Sequence, residues 1–411
     1  MDDLKTDTYE LLNQVYARGI KPCIVEGKND AYIQDPVFEI KRNRVIAETL
    51  KAIIRLNLEK NQEITEKLLL YLKKNQNKDG SWNEIHLHYD QPSALITSIV
   101  GETLLMYHNR FQDETTKKMI YLASRYVLSQ QKSPGYFIKS TLYTSDYLNV
   151  DATCGAFLAL YGETFSDDKS IINAQETAKH ICEYQFSNGS FPYMINDEKK
   201  RDFLNIPCIH YQGVTLYYLS KINEVIKEER LKQSLMHGAE WLSDVQQQNG
   251  RFDWSKSGLM FAYYLTGAYA FAFSSFMYVS KWDKKYLKHA RLCLNMLKRN
   301  IDTLFLRWEK DSWATFPFSI PITLQSSFIG NSPSKQKFFQ FGYGVYRQIA
   351  RRRFSKKPNE NVFNNLTKIL GIHSSTIEPF SNYSDLFMTS EILDCLSNSL
   401  SFLEEGDYSL Q

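Results

Sequence analysis

The sequence predicts an all-α fold, an α/α toroid of about six helical hairpins forming a complete or incomplete barrel. Two observations carry that prediction. First, one mark recurs four times, a glutamine, a short polar turn, a glycine and an aromatic: QNKDGSW at 76–82, QKSPGYF at 131–137, QFSNGSF at 185–191 and QQNGRF at 247–252. Gly80, Gly135, Gly189 and Gly250 follow one another at 55, 54 and 61 residues, a period that holds one helical hairpin and its loops. Second, the helical stretches between marks alternate between ones that are apolar and aromatic on nearly all faces and ones with a charged face. A helix surrounded by neighbours is apolar all round, whereas one with a solvent side keeps a polar stripe. The alternation therefore reads as inner, outer, inner, outer.

Taken in order, residues 1–43 carry a short helical pattern at 8–16 and an irregular stretch with Pro22, Gly27 and Pro36, and read as an N-terminal strap to a toroid domain over 44–411. The first pair is 45–58 with 64–74. The second is 92–107 with 114–129, where Pro92 stands at a helix start and loses little by lacking a donor. Further pairs are 152–160 with 171–184, 211–225 with 229–245 and 259–279 with 284–297. After 300 the mark gives way to LRWEKDSWATFPF, and 335–353, 362–370 and 385–403 supply irregular last hairpins, so ring closure is an expectation rather than a reading. Each mark is a joining device. Its glycine supplies a positive φ, Asp79, Asn188 or Asn249 suits the exposed turn, and the glutamine amide reaches orphaned groups at a helix end.

Composition narrows the function. A hydrophobic fraction of 43% fills a large core, and 26 Tyr, 25 Phe and 6 Trp can line a pocket for sugars or isoprenoid chains as well as fill spaces between helices. A net charge of +3 argues against a dedicated nucleic-acid binder. The basic run Arg351, Arg352, Arg353, Lys356 and Lys357 reads as a solvated helix terminus. Cys23, Cys154, Cys182, Cys208, Cys293 and Cys395 include no CxxC pair and read as scattered free thiols. The start MDDLKTDTYELL lacks a signal peptide's basic and apolar regions, so a cytoplasmic location is expected. The stretch 258–279 is nearly uncharged and long enough to span a bilayer, but its tyrosines and serines favour a buried inner helix; no membrane span is expected, and peripheral contact stays open.

The marks resemble the QW-type repeat of the terpenoid cyclase and protein prenyltransferase β-subunit superfamily, and the paired helices are similar to the toroids of sugar epimerases, polysaccharide lyases and helical-barrel glycoside hydrolases, over about 44–300. The resemblance implies an architecture more than an activity. The DxDD and DDxxD motifs of terpenoid chemistry are absent, and Asp167–Asp168 reads as surface. The pieces Asp151-Ala152-Thr153-Cys154 and Cys208-Ile209-His210 do not reproduce the prenyltransferase zinc motif.

In a toroid, the loops before the inner helices converge on one mouth, so their polar residues are the candidates for chemistry. His88 and Asp90, Asp146 and Asp151, and His210 are the expected catalytic groups, able to move protons on a sugar. Asp90 and Asp151 are equally good helix caps. Tyr89, Tyr143, Tyr147, Tyr211, Asp253, Trp254, Arg307, Trp308, Glu309 and Trp313 are the expected substrate contacts, with ring faces for sugar and charged tips for its hydroxyls. No cofactor is expected; the alternative is zinc held by Asp151, Cys154, Cys208 and His210. The reading is a carbohydrate-active enzyme for an oligosaccharide or polysaccharide, with hydrolysis, elimination and epimerisation all open. The alternatives are an isoprenoid- or lipid-processing enzyme and a noncatalytic peptide- or protein-binding toroid.

Overall fold

The structure, a computed structural model, describes residues 2–35, 40–56, 62–86, 89–195, 207–253, 256, 265–300 and 386–408. Among these residues the long elements are helices: α1 Asp2–Val15, α2 Asn43–Leu56, α3 Gln62–Lys74, α4 Ala94–Phe111, α5 Glu114–Ser129, α6 Leu148–Phe165, α7 Asp168–Glu183, α8 Ile209–Ile226, α9 Glu229–Asp244, α10 Leu265–Val279, α11 Tyr286–Asn300 and α12 Leu386–Tyr408. The strands are short and belong to loops: β1 Ile24–Glu26 with β2 Ala31–Ile33, β3 Trp82–His86 with β4 Tyr89–Ser93, β5 Gln131–Ser133 with β6 Tyr136–Phe137, and β7 Asp146–Tyr147 with β8 Met194–Ile195.

Helices α2, α4, α6, α8, α10 and α12 pack in that order, and α12 returns to α2, so the ring is closed. Outside it, α3 lies on α2, α5 on α4, α7 on α6, α9 on α8 and α11 on α10, while α1 packs on α12. The sixth pair thus joins the two ends of the chain. Burial follows the layers. Residues 148–159 of inner helix α6 are all buried, whereas outer helix α7 buries only a stripe of Ser170, Asn173, Ala174, Thr177, Ala178 and Ile181. Inner helices α4, α6 and α8 end on Gln112, Ser166 and Lys227 in the left-handed conformation, each N–H returning to a carbonyl of the last turn. Asp113 and Asp167 then cap α5 and α7 through Thr116 and Ser170 N–H at 2.8 and 3.1 Å. Residues 267–279 of α10 are buried inside the ring, and no described helix is long and apolar enough to cross a membrane.

Three of the four marks clip three elements together through their glutamine. Gln76 Nε2 donates to the Gly80 carbonyl and to Met119 O on α5, both at 3.0 Å; Gln185 does the same with Gly189 and with Ser234 on α9, at 2.9 and 3.0 Å. In the fourth mark this glutamine is Gln246, one residue earlier than the pattern QQNGRF suggests, reaching Gly250 and His289 carbonyls at 3.4 and 3.5 Å. The N–H of the aromatic that closes the mark then donates to a side chain in the first turns of the next inner helix: Trp82 to Thr97, Phe137 to Asp151, Phe191 to Gln212 and Phe252 to Tyr269, at 3.0, 2.7, 2.7 and 3.3 Å. All four glycines have positive φ.

The inner helices are not apolar throughout. Arg44, Glu48, Lys51 and Arg55 form one stripe of α2 that faces Glu102 of α4, Lys221 of α8 and Glu391 and Asp394 of α12. Lys51 Nζ lies 2.7 Å from Asp394 and 3.2 Å from Glu102, Arg55 Nη1 lies 2.7 Å from Asp394, and Lys221 pairs with Glu102. The expected uniformly apolar lining is corrected accordingly: four cations oppose four anions where the helices face one another.

Candidate functional site

The starts of the inner helices gather at one end. Asn43 of α2 donates to Asn83 O on β3 at 3.0 Å, Ala94 N–H of α4 to Lys139 O at 2.8 Å, and β7, which leads into α6, pairs with β8 from the loop before α8. At this mouth the structure brings together Asp146, Asp151 and His180, each offering one ligand-type atom within 4.8 Å of the others.

Asp151 sits in the first turn of α6 and is completely buried. Its Oδ1 receives Phe137 N–H, the task that Thr97, Gln212 and Tyr269 perform in the other repeats with neutral groups. Burial first, and then the neighbouring Asp146, push its carboxyl well above the ordinary carboxylate range. Asp151 Oδ2 and Asp146 Oδ1 are buried without a hydrogen-bond partner among the described residues. Asp146 Oδ2 lies 3.0 Å from His180 Nε2, with side chains 12% and 14% exposed, so the imidazole tautomer that donates here holds both side chains in place. The turn of the second mark rests on His180. A Cβ at Gly135, whose φ is +80, would stand 2.5 Å from the His180 Cβ. Tyr136 beside it is raised to about 12 by burial and then by Asp146 and Asp151, and its hydroxyl donates to Thr144 O.

Three tyrosines adjoin this group along the mouth. Tyr147 and Tyr193 have ring centroids 5.3 Å apart, and Tyr193 and Tyr211 are 4.4 Å apart. Tyr143 lies under the ammonium of Lys139 at 4.9 Å, and that ammonium also pairs with Glu84 at 2.9 Å. Tyr193, like His180, carried no weight in the sequence. The position of His180 on the flank of α7's buried stripe, three residues after Thr177, is the signal that could have found it.

The other sequence candidates fall elsewhere. Asp90 is exposed on β4 and accepts from Asn83 Nδ2 at 2.7 Å, while Ser93 caps α4. Asp151 does not cap α6 either, since Tyr147 occupies that position without a side-chain bond. His210 is buried in the first turn of α8, edge-on to Tyr211 and Phe271 at 5.0 and 5.4 Å. It faces Gly267, next to which stands Glu391. Asp253 is half-buried and its N–H donates to Val245 O at 2.7 Å. Tyr89 lies on β4, opposite His86. His88, Trp254, Arg307, Trp308, Glu309 and Trp313 lie outside the described residues.

The zinc set of Asp151, Cys154, Cys208 and His210 is corrected. Among the described residues, the one group of three or more ligand-type side chains is Asp146, Asp151 and His180, and it contains no sulfur. Cys154 and Cys208 are buried thiols, and burial pushes Cys154 well above its ordinary value, which opposes the thiolate that zinc requires.

No protein-family model and no curated protein matches the sequence. Solved structures do match in shape. The chain is similar to a cellobiose 2-epimerase from Bacillus thermoamylovorans, with a TM-score of 0.59 at 10% identity over 71% of this chain and 87% of that one. It is similar to an inactive variant of an α-1,6-mannanase from Salegentibacter sp. in complex with α-1,6-mannotriose, with a TM-score of 0.58 at 10% identity over 97% and 99% of the two chains. It is also similar to a type II terpene cyclase from Scytonema bound to geranylgeranyl dihydroxybenzoate, with a TM-score of 0.52 at 12% identity over 73% and 80%. At such identities the likeness establishes a helical toroid common to carbohydrate-active and terpenoid-cyclase-like proteins, and nothing about activity.

Proposed function

We propose that this toroid is a carbohydrate-active enzyme that transfers protons on an oligosaccharide or polysaccharide at the mouth, with Asp146, Asp151 and His180 as its acid–base group. The observation that carries the reading is the cluster of Asp151, Asp146 and His180, with Asp146 bonded to His180, beside the rings of Tyr147, Tyr193 and Tyr211. Asp146 holds His180 Nε2, leaving Nδ1 to take and return a proton at a sugar hydroxyl or ring carbon. Asp151, whose carboxyl burial and the neighbouring Asp146 push up, is the group of the three best suited to hold a proton for donation. Tyrosine faces suit the apolar faces of pyranose rings. Tyr147 and Tyr211 stay in the proposal as substrate contacts and Tyr193 joins them; His210 and Asp90 stay as further candidates for proton transfer.

The fold is shared by a sugar epimerase, a mannanase and a terpene cyclase alike. What favours this reading over the isoprenoid alternative is the ion network of Lys51, Arg55, Glu102, Lys221 and Asp394, because a polyprenyl chain gains nothing from charged neighbours. The test is product analysis by mass spectrometry on a broad glycan panel. One or more glycans are expected to be converted, with His180→Gln and Asp146→Asn lowering the rate by about 100-fold or more. A panel left unchanged by the wild-type chain, or turnover undiminished in both variants, overturns the reading.

A further inference from the structure

We infer that Asp146, Asp151 and His180 also form a binding site for a first-row divalent cation, with Zn2+ as the first probe. The three side chains come from three separately anchored elements. Asp146 is fixed by the β7–β8 pairing, Asp151 by Phe137 N–H, and His180 by the turn of Gly135 lying against its Cβ. Their ligand-type atoms lie within 4.8 Å of one another, near enough for small side-chain movements to bring all three to the about 2.0–2.2 Å at which tetrahedral Zn2+ holds its ligands. Within this group Asp151 Oδ2, on a fully buried side chain, and Asp146 Oδ1 are buried oxygens without a hydrogen-bond partner among the described residues.

The repeats supply an independent argument. Receiving the N–H of the mark's aromatic needs no charge, since Thr97, Gln212 and Tyr269 do it. An aspartate at that position adds a second oxygen and an ionisable charge in a fully buried place, a costly choice unless the spare oxygen has a ligand. Two carboxylates with one imidazole suit Zn2+ or Mn2+ better than Ca2+ or Mg2+, which prefer oxygen alone. The ion would engage both carboxylates and occupy the His180 lone pair. If the sugar chemistry proposed above is right, such an ion therefore inhibits it; only this consequence rests on that reading.

Isothermal titration of the chelator-treated full chain with Zn2+ alone, in the absence of any glycan, tests the site. One ion per chain is expected, with Ca2+ and Mg2+ binding more weakly. Asp151→Asn keeps an oxygen for Phe137 N–H, and His180→Gln changes a second element; each is expected to weaken Zn2+ binding by about 100-fold, while circular dichroism of the metal-free proteins stays that of the wild type. Absence of binding below millimolar Zn2+, or binding that survives both substitutions, overturns the inference. Because no turnover is measured, this result and that of the glycan panel succeed or fail separately.

Discussion

Replacing Asp394 with asparagine tests how the ring is closed. Asp394 Oδ2 accepts from Lys51 Nζ at 2.7 Å and from the Tyr217 hydroxyl at 3.0 Å, and Oδ1 accepts from Arg55 Nη1 at 2.7 Å. Burial alone would raise its carboxyl, but Lys51, Arg55 and Lys221 outweigh burial and hold it far below the usual carboxylate range. Asparagine keeps the shape and loses the charge, so Arg44, Lys51, Arg55 and Lys221 are left facing only Glu48, Glu102 and Glu391. Breaking a buried pair in this way costs about 3–5 kcal/mol. An unfolding entropy of about 2.1 cal/mol/K per residue over 411 residues amounts to roughly 0.9 kcal/mol/K, so calorimetry should show Tm lowered by about 3–6 °C. Adding Lys51→Met restores the balance of charge, and the double variant should recover about 2 kcal/mol relative to the sum of the single changes. An Asp394→Asn protein melting within 1 °C of the wild type, on the order of 1 kcal/mol by the same conversion, would refute the claim that charge holds α12 in the ring.

Lys221 and the mark glycines give two further predictions. Burial outweighs Glu102 and lowers Lys221 to about 8; the unfolded chain then holds a proton that the folded chain lacks between pH 8 and about 10.4, so stability rises with pH across that window and the unfavourable contribution is fully present below it. The Tm difference between wild type and Lys221→Met should therefore shift by about 2 °C in favour of the wild type from pH 7.5 to 9.5, measured by differential scanning fluorimetry; a constant difference contradicts the assignment. A Cβ at Gly80 would lie 2.4 Å from Leu122 O, whereas at Gly250 it would lie 3.1 Å from Leu292 O, with φ of +92 and +88. Both alanine variants carry backbone strain of about 1–3 kcal/mol, and Gly80→Ala should melt clearly lower than Gly250→Ala; equal melting would show that the clash is relieved.

Much of the architecture was legible because it is written locally. Gly80, Gly135, Gly189 and Gly250 announce positive φ by their neighbours, and the apolar and charged stretches separate inner from outer helices. The closing pair was not legible, since α1 and α12 meet only through the ends of the chain. The ion network was concealed in the same way. Arg44, Glu48, Lys51 and Arg55 recur on one face of α2 like a solvated stripe, and only their approach to Glu391 and Asp394 shows that the stripe faces the ring's interior. At the mouth, the weight given to residues preceding inner helices fell on Asp146 and Asp151 but not on His180, which arrives beside them from the outer layer.

The most direct measurement is a crystal structure of the His180→Gln protein soaked with the oligosaccharide that the wild-type chain converts or binds most tightly in the glycan panel. The account predicts pyranose rings lying against Tyr147 or Tyr211, with a hydroxyl or ring carbon facing residue 180 within hydrogen-bonding reach. Sugar ordered only on the outer helices, away from Asp146, would contradict it.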